Sequence, residues 1–253
     1  MTGFFPVLKR ELFAFFVTPL AWVLVTVFLF VQGLHFFLLV DHFSSQPAGS
    51  TGAVEGPLPA FFGNTVLLYL VLFLLVPPLT MRLFAEERRS GTIEALMTAP
   101  VSPAAVVLAK YTAALAAYAF MWSPTGLYVV ILRRTGEVDL RVVASTYAGV
   151  LLVGGAYLSI GLFASAITRS QFIAFLVTAA VMLALFVIGI GELVFPEGSV
   201  MHAVSAHVSV WAHMNDFASG VVDSRHLVFH GTLAVVPLFA TVRLVDAWRW
   251  RGT

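Results

Sequence analysis

The side chains able to do chemistry in this 253-residue chain are few, and their types exclude more than they offer. Five of the seven histidines, His202, His207, His213, His226 and His230, fall in one short range. A metal centre needs three or four ligands at recurring spacings, and these match no standard pattern, so they read as histidines scattered over an outer surface. There is no cysteine, which removes disulfides, thiolate metal sites and thiol nucleophiles. Neither H-E-x-x-H nor G-x-S-x-G occurs, and no pair of Asp residues stands in facing apolar segments, so an enzyme is the poorer reading. Hydrolysis of ATP within the chain would require G-x-x-x-x-G-K-[ST], and the only lysines, Lys9 and Lys110, follow no such loop. Any energy source must come from another chain.

Dense charge does collect at Glu86-Glu87-Arg88-Arg89-Ser90-Gly91-Thr92-Ile93-Glu94-Ala95-Leu96-Met97. Ser90 is placed to cap a short helix carrying Ile93, Leu96 and Met97 on one side, ended by Ala99-Pro100. Such a segment suits docking on a soluble partner; a charged loop anchoring two helix ends is the competing reading and carries equal weight. The middles of the apolar segments hold no Asp, Glu, Lys or Arg, which disfavours an ion-coupled carrier. Gln32, His35, Tyr118, Tyr128 and Tyr157 are polar mid-segment candidates for lining a path, with helix-packing hydrogen bonds the more ordinary use of each.

The elements that must position these residues follow from composition. The chain is 60% hydrophobic and 11% charged, with mean hydropathy +0.95, against about 25% charged residues in an average soluble domain. The apolar residues come in blocks of about twenty, long enough to cross a hydrocarbon core of ~30 Å. Backbone groups in lipid must satisfy one another, so the blocks are helices. The fold class is therefore an all-α integral membrane protein with one domain over 1–253 and six spans, at about 20–40, 60–82, 103–132, 142–167, 171–195 and 226–247. The third span is long enough to tilt, or to kink at Pro124. Residues 4–17 place Phe4, Phe5, Leu8, Leu12, Phe15 and Phe16 near one helical face ahead of Pro19, as in a helix lying in the interface. No cleavable signal is expected, since the apolar stretch after Lys9 and Arg10 is too long and lacks a cleavage site.

With the N-terminus inside, Lys9, Arg10, Arg82, Arg88, Arg89, Arg169, Arg243, Arg249 and Arg251 face the cytoplasm, against Arg133, Arg134, Arg141 and Arg225 outside. That asymmetry puts both termini and residues 83–102 in the cytoplasm, and 41–59 and 196–225 outside. Lys110 stays out of the count because a lysine near the inner end of a span can snorkel to the interface. Glu192, Arg243 and Asp246 read as interfacial anchors. Residues 41–59 have no Lys or Arg and are rich in Gly, Pro and Ser, which reads as an irregular loop. In 196–225, Val200, Val204, Val208, Trp211, Phe217, Val221 and Val222 recur at spacings that suit short packed helices. A net charge of +1 argues against a nucleic-acid partner.

At EERRSGTIEALMTAPVS the sequence resembles the permease subunits of type-2 ABC transporters, whose cytoplasmic signature reads E-x-R-x-G-T-[IL]-E-x-L-x-x-x-P-[VI]-S. Glu87, Arg89, Gly91, Thr92, Glu94, Leu96, Pro100 and Ser102 carry the likeness. HMNDFASGVVDSRHLVF is similar to an outer motif of the gliding-motility-like permeases, through His213, Phe217, Gly220, Val221 and Asp223, although Ala218-Ser219 stand where a charged residue is frequent. GLFASAITRSQFIAF is like the family's turn between the fourth and fifth spans.

The resemblance implies an N-terminal interfacial helix, a cytoplasmic coupling helix and re-entrant helices between spans five and six. It further implies a permease in the cytoplasmic membrane whose coupling helix, with Glu87, Arg89, Gly91, Thr92, Ile93, Glu94, Leu96 and Met97, meets a separate ATPase. Two ATPase copies would bind ATP and Mg, this chain holding no cofactor, and a second permease, the same or related, would complete the complex. The implied output is export of a cargo, with periplasmic or auxiliary membrane partners. The alternative is a membrane anchor that passes ATPase motion to envelope partners without transport.

Overall fold

The computed structural model describes residues 3–45, 59–63, 66–94, 100–135 and 138–251. Helix α1 (Phe4–Val17) leads through Thr18 into α2 (Pro19–Ser45). A short π-helical turn (Pro59–Gly63) precedes α3 (Val66–Thr80), and a tight turn joins α3 to α4 (Ala85–Ser90). Next come α5 (Pro103–Trp122), a 3₁₀ turn (Ser123–Thr125), α6 (Gly126–Thr135), α7 (Leu140–Ile167) and α8 (Gln171–Val194). Two nine-residue helices, α9 (Val200–Val208) and α10 (Val210–Ala218), lead to α11 (Ser224–Arg251). The described residues contain no strand.

Six helical stretches are long and apolar enough to cross a membrane: Pro19–Ser45, Val66–Ser90, Pro103–Arg134, Leu140–Ile167, Gln171–Val194 and Ser224–Trp248. The protein is a multi-pass membrane protein. Local chemistry sets several helix starts: the side chains of Ser102, Ser170, Ser199 and Ser209 accept backbone N–H groups of Ala105, Ile173, His202 and Ala212, and Pro103 follows Ser102 at the first helical position.

Helix α7 is the centre of the bundle. Its most apolar stretch is 78% buried, whereas α2 and α8 reach only 22% and α11 17%, so those three lie at the periphery of the bundle. Small residues let neighbours approach α7: a Cβ at Gly149, Gly154 or Gly161 would fall 2.6, 2.3 or 2.1 Å from Phe217, Tyr118 or Thr80. Each notch receives a different helix, α10, α5 or α3.

The polar mid-span candidates serve packing. The Tyr118 hydroxyl donates to the Val150 carbonyl at 3.3 Å, His35 stacks on Phe61 at 4.6 Å, and Tyr128 stacks on Phe36 at 4.4 Å; Gln32 and Tyr157 are buried.

The second span departs most from the expected boundaries. It begins at Val66 rather than near residue 60, and after the tight turn at 81–84 the helix resumes through Ser90, past the expected end near 82. Pro77 and Pro78 lie inside α3 just before that turn, and each lacks the N–H that would continue the ladder. Residues 41–45 remain helical in α2 rather than opening the outer loop; 46–58 lie outside the described residues. The third span breaks at the 3₁₀ turn containing Pro124.

Candidate functional site

Helix α4 is only six residues long, so its own hydrogen bonds cannot fix its direction. Other elements do so. Its leading N–H groups, orphaned as at any helix start, belong to Phe84 and Ala85 and donate to Ser165 Oγ of α7 at 3.0 Å each; that hydroxyl donates in turn to the Met81 carbonyl at 3.0 Å. Arg88 donates to the carbonyls of Ala166 at 2.6 Å and Thr168 at 3.2 Å, with its guanidinium 4.8 Å from the Trp248 ring. Gln171 donates to Glu86. The α3–α4 corner is thereby bolted to the turn between α7 and α8.

On the other side of α4 stands Lys110 of α5, 1% exposed. Its ammonium donates to Glu11 Oε1 of α1 at 3.0 Å and to the Leu83 carbonyl at 2.7 Å, and forms an ion pair with Glu87 Oε2 at 3.0 Å. Arg10 contacts Glu11 at 2.7 Å and Glu87 at 2.5 Å. An ammonium this buried is tolerable only when paired and hydrogen-bonded, and Lys110 has two hydrogen-bond acceptors and a second carboxylate within ion-pair distance. Two carboxylates, one from α1 and one from α4, reach Lys110 where it stands.

Burial alone would raise the Glu11 carboxyl, but Lys110 and Arg10 outweigh it and hold Glu11 below the ordinary carboxylate range. For Arg10, burial works downward, and Glu11 and Glu87 overcome it, raising its pKa. Arg82 and Glu86 line a cavity of about 290 Å³ beside this cluster.

The signature residues divide accordingly. Glu87 points inward to Lys110 and Arg10, its side chain 15% exposed. Arg89, Gly91, Thr92 and Glu94 are exposed, while Ile93 is half-buried against the apolar core. Arg89 pairs loosely with Glu86 at 3.5 Å. Ser90 ends a helix rather than starting one: its hydroxyl donates back to the Glu86 carbonyl at 2.9 Å, and Gly91 follows in the left-handed region at φ 76°, the usual helix stop. Leu96 and Met97 lie outside the described residues.

Sequence reasoning passed over Glu11, Lys110, Arg88 and Ser165. Lys110 was the available signal, since a lone lysine in an apolar span asks for a partner.

At the opposite end, the outer-motif residues close the bundle. Phe217 is 1% exposed, and its carbonyl accepts from Ser145 at 2.7 Å and from Thr146 at 3.4 Å, both on α7. Gly220, at φ 86°, ends α10 with paired bonds, Gly220 N–H to Phe217 and Val221 N–H to Asp216, the arrangement of a Schellman stop. Asp223 Oδ1 accepts the Arg225 N–H at 2.8 Å at the start of α11.

Three of the five histidines converge, where spacing had suggested that all were scattered. His213 and His230, 1% and 0% exposed, meet Nδ1 to Nε2 at 3.1 Å; His226 lies over His213 at 4.0 Å and meets Asp216 at 2.8 Å. Burial first, then His226, His230 and His207, push His213 down to about 3. Among the described residues, no group of three or more such side chains is arranged to hold a metal ion.

The family model described as ABC-2 family transporter protein matches residues 6–218, from α1 to the end of α10. No curated protein matches the sequence.

Proposed function

Because the chain belongs to the ABC-2 family of transporter proteins, we propose that it couples ATP hydrolysis by a separate ATPase subunit to export of a cargo across the cytoplasmic membrane. Membership makes it a membrane-embedded permease subunit of an ABC transporter, without an ATPase site of its own. The ATPases in this reading are two, bind ATP and Mg, and dock on the exposed surface that follows Ser90; a second permease subunit completes the pore. Both termini and α4 face the cytoplasm, α1 lies along the inner interface, and α9 and α10 fold at the outer face.

One observation supports the coupling: Lys110 holds α1 and α4 together through Glu11 and Glu87 at 3.0 Å each, Glu87 being the first residue of the family signature. A force applied beyond Ser90 reaches α4, and from it three bodies at once: α1, α5, and the turn between α7 and α8 through Arg88 and Ser165. Exposed Arg89 and Glu94 supply charge for orienting a partner.

Affinity purification of the full chain from its native membrane tests the reading. A polypeptide carrying a phosphate loop should copurify, and the complex should hydrolyse ATP. Recovery of the intact permease with no such polypeptide overturns it. ATP turnover with envelope proteins attached and no cargo moved in proteoliposomes would favour the anchor instead.

A further inference from the structure

A groove of about 580 Å³ runs along the exposed side of α11, lined by His207, Arg225, Val228, Phe229, Leu233 and Pro237. Its lining residues recur every three to four positions from Ser224 to Pro237, a length of ~20 Å at ~1.5 Å per residue. That is the depth of one leaflet, half of a bilayer ~40–45 Å thick with its headgroups. The groove is apolar along its depth and basic at its mouth. Arg225 is exposed and pairs with no carboxylate among the described residues. Asp223, beside it in sequence, turns its carboxylate to the Arg225 backbone N–H, and Asp216 is occupied by His226. His207 stands edge-on to Phe229 at 5.3 Å and makes the second polar wall of the mouth.

We propose that this groove binds one anionic phospholipid from the leaflet at the histidine end, its acyl chain along Phe229, Leu233 and Pro237 and its phosphate at Arg225 with His207. A cation at the headgroup level above an apolar channel one leaflet deep is complementary to that molecule at both ends. A second copy of the chain, presenting the same Arg225, would leave like charges facing. The inference rests on the membrane-spanning fold and is independent of how transport is powered.

The full chain in phosphatidylcholine vesicles containing a small fraction of spin-labelled phosphatidylglycerol, or spin-labelled phosphatidylcholine in its place, gives relative association constants from the motionally restricted signal. Phosphatidylglycerol should be preferred about fivefold at one saturable site. Arg225→Gln should bring the ratio towards one. Val236→Trp, an exposed position lining the groove, should lower retention with Arg225 intact. Equal association of the two lipids with the native chain, or a preference that survives both substitutions, overturns the proposal. So does efficient disulfide formation between two Thr232→Cys chains, which would assign the groove to a second copy.

Discussion

Lys110 and Glu11 stand ninety-nine positions apart in sequence and 3.0 Å apart in space, joining the third span to the helix that precedes the first. Removing one partner of a buried ion pair costs about 3–5 kcal/mol, because the remaining charge is stranded. Lys110→Met should therefore lower the unfolding temperature in detergent sharply. Adding Glu11→Gln and Glu87→Gln should recover much of the loss, with non-additivity above ~1 kcal/mol. Simple addition of the single effects would show that the cluster does not act as a unit.

Acid should loosen the two ends of the bundle in order. His213 is held down to about 3 from an ordinary 6.5, so the unfolded chain takes up a proton that the folded one refuses. Its contribution is complete above pH 6.5 and is lost as pH falls from there towards 3, at no more than ~1.4 kcal/mol per pH unit. Glu11 is lowered from 4.5, so its contribution persists above that value and disappears only as pH drops through the folded-state pKa. Amide protection factors in 210–218, taken relative to the intrinsic exchange rate at each pH, should fall between pH 7 and 5 while those in 4–17 hold. His213→Phe should abolish that loss of protection; its persistence would assign the effect elsewhere.

The orientation is open to labelling because the chain has no cysteine. Ser45→Cys and Glu197→Cys, both exposed, should react with a membrane-impermeant thiol reagent on intact cells, and Ser90→Cys only after permeabilisation. Ser209 is a poor reporter, being 1% exposed and committed to capping α10. Labelling of Ser90→Cys from outside would invert the topology.

Docking of the ATPase should depend on Leu96 and Met97 more than on the charges around them. Truncating a central apolar anchor of a small interface commonly costs ~1–2 kcal/mol. Leu96→Ala with Met97→Ala should thus weaken ATPase association by at least tenfold while insertion and folding are unchanged; Arg89→Ala should do less, as an exposed charge at a wet rim. Ile93→Ala is expected to disturb folding too, since Ile93 packs on the core. Full complex yield and stimulated ATP turnover in the double variant would leave the segment as a charged connection.

The spans were legible because a twenty-residue apolar block has one solution in lipid, and α1 falls on 4–17 as its apolar face implied. The short helices between α8 and α11 were legible too, but not their packing: Phe217 is buried, whereas Val200 and Val204 are 75% and 50% exposed. An apolar face next to lipid need not turn inward, so periodicity finds the helix without finding its neighbour. The charge cluster was hidden for a different reason. Arg10 and Glu87 are seventy-seven positions apart, and pairing between helices leaves no trace in the spacing along either one. Ser90 misled because a serine beside glycine among charged residues can end a helix as well as begin one.

The cluster around Lys110 also has an electrical consequence. Arg10 and Lys110 bring two positive charges, Glu11 and Glu87 two negative ones, and each cation contacts both carboxylates. A transmembrane voltage exerts ~2.3 kcal/mol per elementary charge per 100 mV on a charge carried across the full bilayer. A knot of zero net charge transfers none when it shifts as one body. Displacement of these four side chains as one body, with α5 moving alongside α1 and α4, therefore adds no gating charge from the cluster itself.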